Sequence, residues 1–551
     1  MDNFRQPHRV RTRSTIDGFV RNSSNTRLGG GEPFRQPLHK ASQPLQPLRS
    51  LDDFRHTNAL QTAQVQVTPA EPKTVPVSRS LPKLDMNLDD VPAAAKHKKR
   101  HAWRSVRRWS MRSALALLVL SIGIGGFLVA EGYVKLHQVF KGSAGSAAAL
   151  QANVDPTLLK GEGDGRVNIL LLGNGGNGHE GPDLTDTMIV ASIDPVNKTA
   201  ALLSVPRDLW VKMPNGFMGA SQKINAAYEA GKYNYLGKED ASNANTKAVD
   251  AGFQAADQVV SQVLGIPIHY NMVINFHAFQ QAVDSVGGVD VNVPEQLYDP
   301  TMAWENNWNP VLAKAGEQQM NGKQALLYVR SRETSTDFAR SERQRAVILA
   351  LKDKILTAGT LSNPLKISEL MSAFGDNVVT DISLSDAVRM YDLTKGIANS
   401  NIQSLDLVTA PNDYITTGNM NGVSIDEPKA GLSDYSQIQN YVRGVLKDGY
   451  ITKENAQVTV LNGTTQAGLA TAKADELKSY GYNVTKVDNA PTNGYDKTVI
   501  VDLTAGADKY TKHYLENRFG VSAVSKLPDS TIQPGQANFI IIIGNDETTS
   551  L

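Results

Sequence analysis

At 551 residues the chain is too long for one ordinary hydrophobic core, so two or more domains with connecting segments are expected. It holds no cysteine, which excludes disulfides, thiolate catalysis and Cys-ligated zinc. The formal net charge of +1 hides an uneven distribution: roughly 21 Lys and Arg face 9 Asp and Glu in the first 112 residues, leaving roughly 35 against 46 in the rest, so a basic arm precedes an acidic body.

Residues 1–95 are rich in Pro, Gln, Ser, Thr and Arg, with no sustained period of 2 or 3.6 residues. Such a segment cannot bury enough apolar surface to offset its chain entropy, and a disordered cytoplasmic arm is expected. It carries no aromatic-and-basic platform or DNA-reading motif, so no nucleic-acid partner is expected. Lys96, Lys98, Lys99, Arg100, Arg104, Arg107, Arg108 and Arg112 then precede the uncharged run Ala114–Ala130. A run of that length spans a bilayer as a helix, and its basic flank stays cytoplasmic. The expectation is one transmembrane helix over 113–133, interfacial anchors at Trp103, Trp109 and Tyr133, and an extracytoplasmic body held at the cell membrane. Its distance from the amino terminus argues against a cleaved signal peptide.

Beyond a short Gly/Ala/Ser spacer, Val167–Leu172, Met188–Ile193 and Ala200–Val205 are short apolar runs ended by turn residues, as buried strands are. Helical patterns alternate with further strands to about residue 409. This order predicts an α/β fold, an α+β sandwich with helices packed on a central mixed sheet, over 150–412. Residues 413–454 are expected to be a linker, partly turn-rich and partly one helix. Residues 455–545 predict a small α/β domain, to which no chemistry is assigned.

Three strand or helix ends in the large domain concentrate polar residues where α/β sites form. The first is Gly173–Asp186, glycine-rich enough for backbone to approach phosphate, with Asp183 and Asp186 as hard oxygen ligands suited to Mg²⁺. The second places Arg207 and Asp208 just past an apolar strand. The third runs from Tyr328 to Arg345 and gathers Arg330, Arg332, Arg340, Arg343 and Arg345 around one acid, Asp337. Guanidinium groups fork two donors onto phosphate, so the run points to a polyanionic ligand.

Asn168–Gly173, Thr185–Met188, Ser192–Pro195, Ser204–Asp208, Lys223–Tyr228, Gly287–Val291 and Arg330–Gln344 match, in order and spacing, the motifs of the LytR-CpsA-Psr family of cell-wall glycopolymer phosphotransferases. The chain resembles that family over about 165–360, and its last 90 or so residues are similar to the family's carboxyl-terminal accessory domain. The resemblance implies transfer of a glycosyl-phosphate polymer from a polyprenyl-diphosphate carrier in the membrane lipid to a peptidoglycan acceptor, with Mg²⁺ as cofactor. It implies Asp186 as a metal ligand and Arg207, Arg330 and Arg332 as pyrophosphate ligands. Asp337, Arg340, Arg343 and Gln344 complete the polar cluster. Asp208 and Asp337 are both candidates for the general base.

Two departures from the pattern stand out. The family has an aspartate just after the glycine of Gly173, where this chain has Asn174 and Gly175, and a cation before Thr185, where this chain has Leu184. Asp183 is expected to substitute as second metal ligand, with Glu180 and His179 as lesser candidates. The departures also keep open a rival reading, a non-catalytic polyprenyl-phosphate-binding envelope regulator. Phe276–Val283 can line a slot for the isoprenoid chain, with core packing as the plainer use of those side chains.

Overall fold

The computed structural model describes residues 147–214, 221–236, 246–332, 337–357 and 374–548. The arm 1–95 and the apolar segment 113–133 lie outside the described residues, and among the described residues no helix is long and apolar enough to cross a membrane.

Strands β1 (Val167–Asn174), β2 (Thr185–Asp194), β3 (Thr199–Ser204), β4 (Tyr270–Asn275), β5 (Val378–Thr380) and β6 (Ile402–Leu405) form a six-stranded sheet in the order β5-β4-β1-β2-β3-β6. The sheet is mixed: β1 runs antiparallel to β2 and parallel to β4. The β2–β3 turn closes because Asp194 Oδ1 accepts from the backbone N–H groups of Val196 and Asn197. Alternate residues of β1 go to opposite faces. Leu170 and Leu172 pack with Val190, Leu203, Phe253 and Val260, while Val167 and Ile169 pack with Tyr270, Ile382 and Met390. Burial on both faces explains why these strands read as near-continuous apolar runs.

Helices α1 (Ala227–Leu236) and α2 (Thr246–Leu264) cover one face. They cross closely: a Cβ at Gly252 would lie 2.9 Å from Lys232 Cγ. A separate layer of α3 (Phe276–Ser285), α4 (Gly322–Arg330) and α5 (Asp337–Thr357) surrounds its own core of Val283, Val289, Leu326, Tyr328 and Val347. The α4 start is fixed by a capping box between Asn321 and Gln324.

Residues 413–454 are no linker. Strands Ile415–Met420 and Val423–Pro428 pair as a hairpin, turned by Asn421 and Gly422 at φ 53° and 87°. Helix Ser436–Val445 buries Ile438 and Val442, and together with Ile415 they enter the main core. Its part up to Leu446 completes the large domain, while Ile451 enters the carboxyl-terminal core.

In the carboxyl-terminal part, β7 (Gln457–Asn462), β8 (Asn483–Asn489), β9 (Val499–Asp502) and β10 (Phe539–Ile543) form a sheet in the order β8-β7-β10-β9. All five residues of β10 are fully buried, and helices Leu469–Ser479 and Lys509–Phe519 supply Ala474, Leu477, Tyr514 and Leu515 to the core. The leading segment ties both parts together. Ala147 N donates to Tyr270 Oη at 2.8 Å in the large domain, whereas Val154 and Leu159 sit in the small domain's core. Asp448, 2 % exposed, accepts from Gly163 N, Gly165 N and Tyr514 Oη.

Candidate active site

The carboxyl end of β1 and the start of α3, which follows β4, open onto a cavity of about 200 Å³ roofed by α4 and α5. Its depth is apolar, with Leu171, Ile189, Ile274, Phe279, Val347 and Leu351 among the lining side chains. Its mouth is polar and carries Asp186, Arg207, Arg330, Arg332, Arg340 and Gln344. Phe276 and Phe279 line the slot, so these side chains serve the cavity and not core packing alone.

A bulge aims Asp186. Gly173 pairs with Thr187 but Asn174 pairs with Thr185, so Asp186 is the extra residue on β2. Strand alternation would put neighbours on opposite faces, yet both Asp186 and Thr187 border the cavity. Thr185 is fully buried and anchors the bulge by donating from Oγ1 to Asn225 O at 3.0 Å.

Asp186 and Asp208 organise the cations. Arg207 Nη1 donates to Asp186 Oδ1 at 2.5 Å. Asp208 Oδ1 accepts from Lys223 Nζ at 2.6 Å, and its Oδ2 lies 3.6 Å from Arg207 Nε and 3.8 Å from Arg332 Nη2. With its oxygens held this way, Asp208 braces the guanidinium groups. Arg330 donates to Glu305 Oε2 at 2.8 Å and lies 4.6 Å above the Phe276 ring centroid. Gln344 Nε2 donates to Thr187 Oγ1 at 2.9 Å, pinning α5 to the bulge. Four guanidinium groups beside an apolar slot focus a positive field at its mouth.

Two of the expected site residues lie off the cavity wall. Asp183 is absent from the cavity wall: both its oxygens lie 2.8 Å from Nζ of Lys232, a residue 2 % exposed. Both oxygens of this carboxylate are engaged by a buried ammonium, off the cavity wall. Arg343 is buried too, its Nε donating to Tyr328 O at 2.8 Å and its Nη2 to Ser331 O, so it caps the carbonyl end of α4 and does not line the cavity. Arg345, also in the arginine run, is 1 % exposed and donates from Nη1 to Ser204 Oγ at 2.6 Å. Asp337 opens α5, but its side chain lies outside the described residues.

Lys223, Glu305 and Lys232, the ion-pair partners of Asp208, Arg330 and Asp183, are residues that sequence reasoning missed. Lys223 heads one of the motifs quoted above, and that position is the signal that could have found it.

For Mg²⁺ the donor set is sparse: among the described residues no group of three His, Asp or Glu side chains could hold a metal. Two oxygens near the bulge are the candidates, of which only that of Asp186 lines the cavity. Asp186 is partly exposed at the mouth, and Asn174 Oδ1, one step along the paired strands, is buried with no hydrogen-bond partner. One carboxylate and one amide oxygen suit an ion that keeps several waters and takes the rest of its shell from substrate phosphates.

The fold and this site define a member of a known class. Residues 133–434 match the LytR_cpsA_psr family, and residues 455–546 match the domain described as LytR cell envelope-related transcriptional attenuator. The chain belongs to the LytR_cpsA_psr family. It is similar to the polyisoprenyl-teichoic acid–peptidoglycan teichoic acid transferase TagV of Bacillus subtilis, 30% identical over 319 residues, 56% of this chain and 73% of TagV. It is also similar to the TagU transferase of Oceanobacillus iheyensis, 31% identical over 320 residues, covering 56% of this chain and 87% of TagU. The crystal structure of Bacillus subtilis TagV matches with 26% identity and a TM-score of 0.39, over 51% of this chain and 97% of that one.

Proposed function

We propose that this chain is a membrane-anchored, Mg²⁺-dependent phosphotransferase that moves a glycosyl-phosphate polymer from a polyprenyl-diphosphate carrier to peptidoglycan. The observation that carries the reading is the juxtaposition of an apolar slot with a mouth bearing Arg207, Arg330, Arg332 and Arg340. A polyprenyl diphosphate has that same polarity, an apolar chain ending in a doubly charged head. The named activity of TagV and TagU supports it. The cationic flank before Ala114 supports an amino terminus in the cytoplasm and a body outside it.

In this reading the acceptor hydroxyl oxygen forms a bond to the sugar-linked phosphorus. The bond from that phosphorus to the bridging oxygen breaks, and the electron pair leaves on polyprenyl phosphate. Little covalent work falls to the protein, so its contribution is positioning and charge neutralisation. Arg330 and Arg332, at the end of α4, and Arg207, after β3, hold the diphosphate from two sides. Asp208 and Asp186 fix the guanidinium planes. The hydroxyl proton passes to a general base, and Asp337 is the remaining candidate because the oxygens of Asp208 are held by cations. Asp186, with Asn174 beside it, would hold Mg²⁺, which would supply charge neutralisation.

The test uses the full chain in nanodiscs with a polyprenyl-diphosphate-linked oligosaccharide, Mg²⁺ and nascent peptidoglycan. Polyprenyl monophosphate should be released as sugar phosphate becomes attached to peptidoglycan. Tight lipid binding without release would make the protein the non-catalytic regulator instead.

A further inference from the structure

The loop Tyr298–Trp308 exposes three large aromatic side chains: Tyr298 is 46%, Trp304 58% and Trp308 82% exposed. Trp308 is also held at φ 61°, directly after Asn307 at φ 53°. Consecutive left-handed residues without glycine are uncommon, and for a bulky side chain they mark a site that the surrounding structure enforces. Here Trp308 N donates to Ala303 O at 2.7 Å, and Asn306 Nδ2 donates to Asn309 O and Val311 O. The ring is presented to solvent by a closed, hydrogen-bonded loop.

Two ties fix this loop to the mouth of the cavity. Asp299, 1 % exposed, accepts from Thr301 N at the loop's start and from Ser331 Oγ at 2.7 Å and Arg332 N at 3.3 Å. Glu305, next in sequence to Trp304, pairs with Arg330. Trp304 is therefore next in sequence to the partner of Arg330 and Tyr298 next to the residue that anchors Arg332, while none of the three aromatic residues lines the apolar slot.

We propose that Trp304 and Trp308, with Tyr298, form a saccharide-stacking platform that takes a pyranose ring next to the diphosphate. The inference rests on the proposed function, because the order of a glycosylated lipid diphosphate is chain, diphosphate, sugar, and the structure repeats it as slot, arginine mouth, tryptophan loop. The axial C–H groups of a pyranose carry partial positive charge and meet the negative face of an indole. Charge favours a sugar over a bilayer. Residues 298–313 contain no Lys or Arg, whereas segments that lie on anionic lipid carry them; beside the tryptophans stand Asn306, Asn307 and Asn309, whose amides suit hydroxyl groups. The ring can come from the donor glycan or from the peptidoglycan acceptor.

The experiment titrates the full chain in detergent with undecaprenyl diphosphate, with the same lipid carrying one N-acetylhexosamine, and with soluble muropeptides. It compares the native protein with Trp304→Ala/Trp308→Ala and with the conservative Trp304→Phe/Trp308→Phe. The sugar-bearing lipid should bind about tenfold more tightly than the bare one, the scale expected for aromatic stacking. The alanine pair should lose that gain with bare-lipid affinity unchanged, and the phenylalanine pair should keep most of it. Loss confined to muropeptides assigns the platform to the acceptor. No change with either saccharide, or lost liposome partitioning alone, overturns the proposal. Failure of the native protein to bind bare undecaprenyl diphosphate overturns the proposed function instead, and the muropeptide arm still tests the loop.

Discussion

Lys232 and Asp183 form a buried clamp, with Nζ of Lys232 2.8 Å from each carboxylate oxygen of Asp183. The clamp joins α1 to the glycine-rich loop that runs from Gly175 to Leu184 beside the cavity. That loop is built tightly: Gly176 sits at φ 76°, and a Cβ there would lie 2.8 Å from Asn275 Cβ. Nearby, burial and then the charge of Asp183 push the Glu229 carboxyl above its ordinary range. A buried cation therefore sets where the loop and the adjoining bulge at Asp186 lie.

Breaking the clamp from one side should leave an uncompensated buried charge. Lys232→Met is expected to lower stability by ~3 kcal/mol. Asp183→Asn should lower transfer while leaving its Mg²⁺ dependence unchanged, and Lys232→Met/Asp183→Leu should regain much of the stability. Thermal unfolding and Mg²⁺ titration of activity measure both. A shifted Mg²⁺ curve for Asp183→Asn would return that residue to the metal.

The bulge makes a second prediction. Asn174→Asp should strengthen binding of Mg²⁺ or Mn²⁺ to the lipid-bound protein by about tenfold, because a charged oxygen replaces an amide at the proposed metal position. Asp186→Asn should weaken it at least as much. Calorimetry, or the electron spin resonance signal of free Mn²⁺, reads this directly. Equal affinities for all three proteins would exclude Asn174 and Asp186 from the metal shell.

Arg332 and Arg343 share a sequence cluster but do different work, and stability separates them. Arg332→Ala should abolish transfer with unfolding nearly unchanged, since the side chain stands at the mouth. Arg343→Ala removes donors to two buried carbonyls and should destabilise by about 2 kcal/mol. Lysine should substitute poorly at 332, offering one point charge where a fork is needed. The hypothesis fails if Arg343→Ala unfolds like the native protein.

Much of the fold was legible because its central strands are buried on both faces and so stand out as apolar runs. The arginine run was legible as a cationic cluster, and Arg330, Arg332 and Arg340 of it line one cavity, but the division of labour within it was not. Whether Arg343 meets substrate or a carbonyl depends on where α4 ends against α5, a tertiary fact. The fate of Asp183 was hidden for a similar reason, its partner lying 49 positions away on a helix with a weak amphipathic pattern. The hairpin within 413–454 was a different kind of miss. Asn421-Gly422 between strand-like runs is a strong local signal, and it was outweighed by the turn-rich composition around it.

The last prediction concerns pH and lies away from the cavity, under β4. Asn271 Nδ2 donates to Asp257 Oδ2 at 3.0 Å and to Asp381 Oδ2 at 2.9 Å, so one amide serves two carboxyl groups. Burial pushes the Asp257 carboxyl up to about 7; the Asn271 bond pulls against this, and the charge of Asp381 adds to it. Asp381 is also raised, by burial first, with Asp250 adding to it. In the unfolded chain Asp257 titrates near 3.8. Between about pH 4 and pH 7 the folded state therefore holds a proton that the unfolded state has lost, and stability falls as pH rises through that window. The protein should melt at a higher temperature near pH 5.5 than near pH 8. Asp257→Asn keeps an acceptor for Asn271 and removes the charge, so it should flatten this slope and stabilise at pH 8 by on the order of 2 kcal/mol. If melting of Asp257→Asn keeps the native pH slope, the carboxyl pair is not its source.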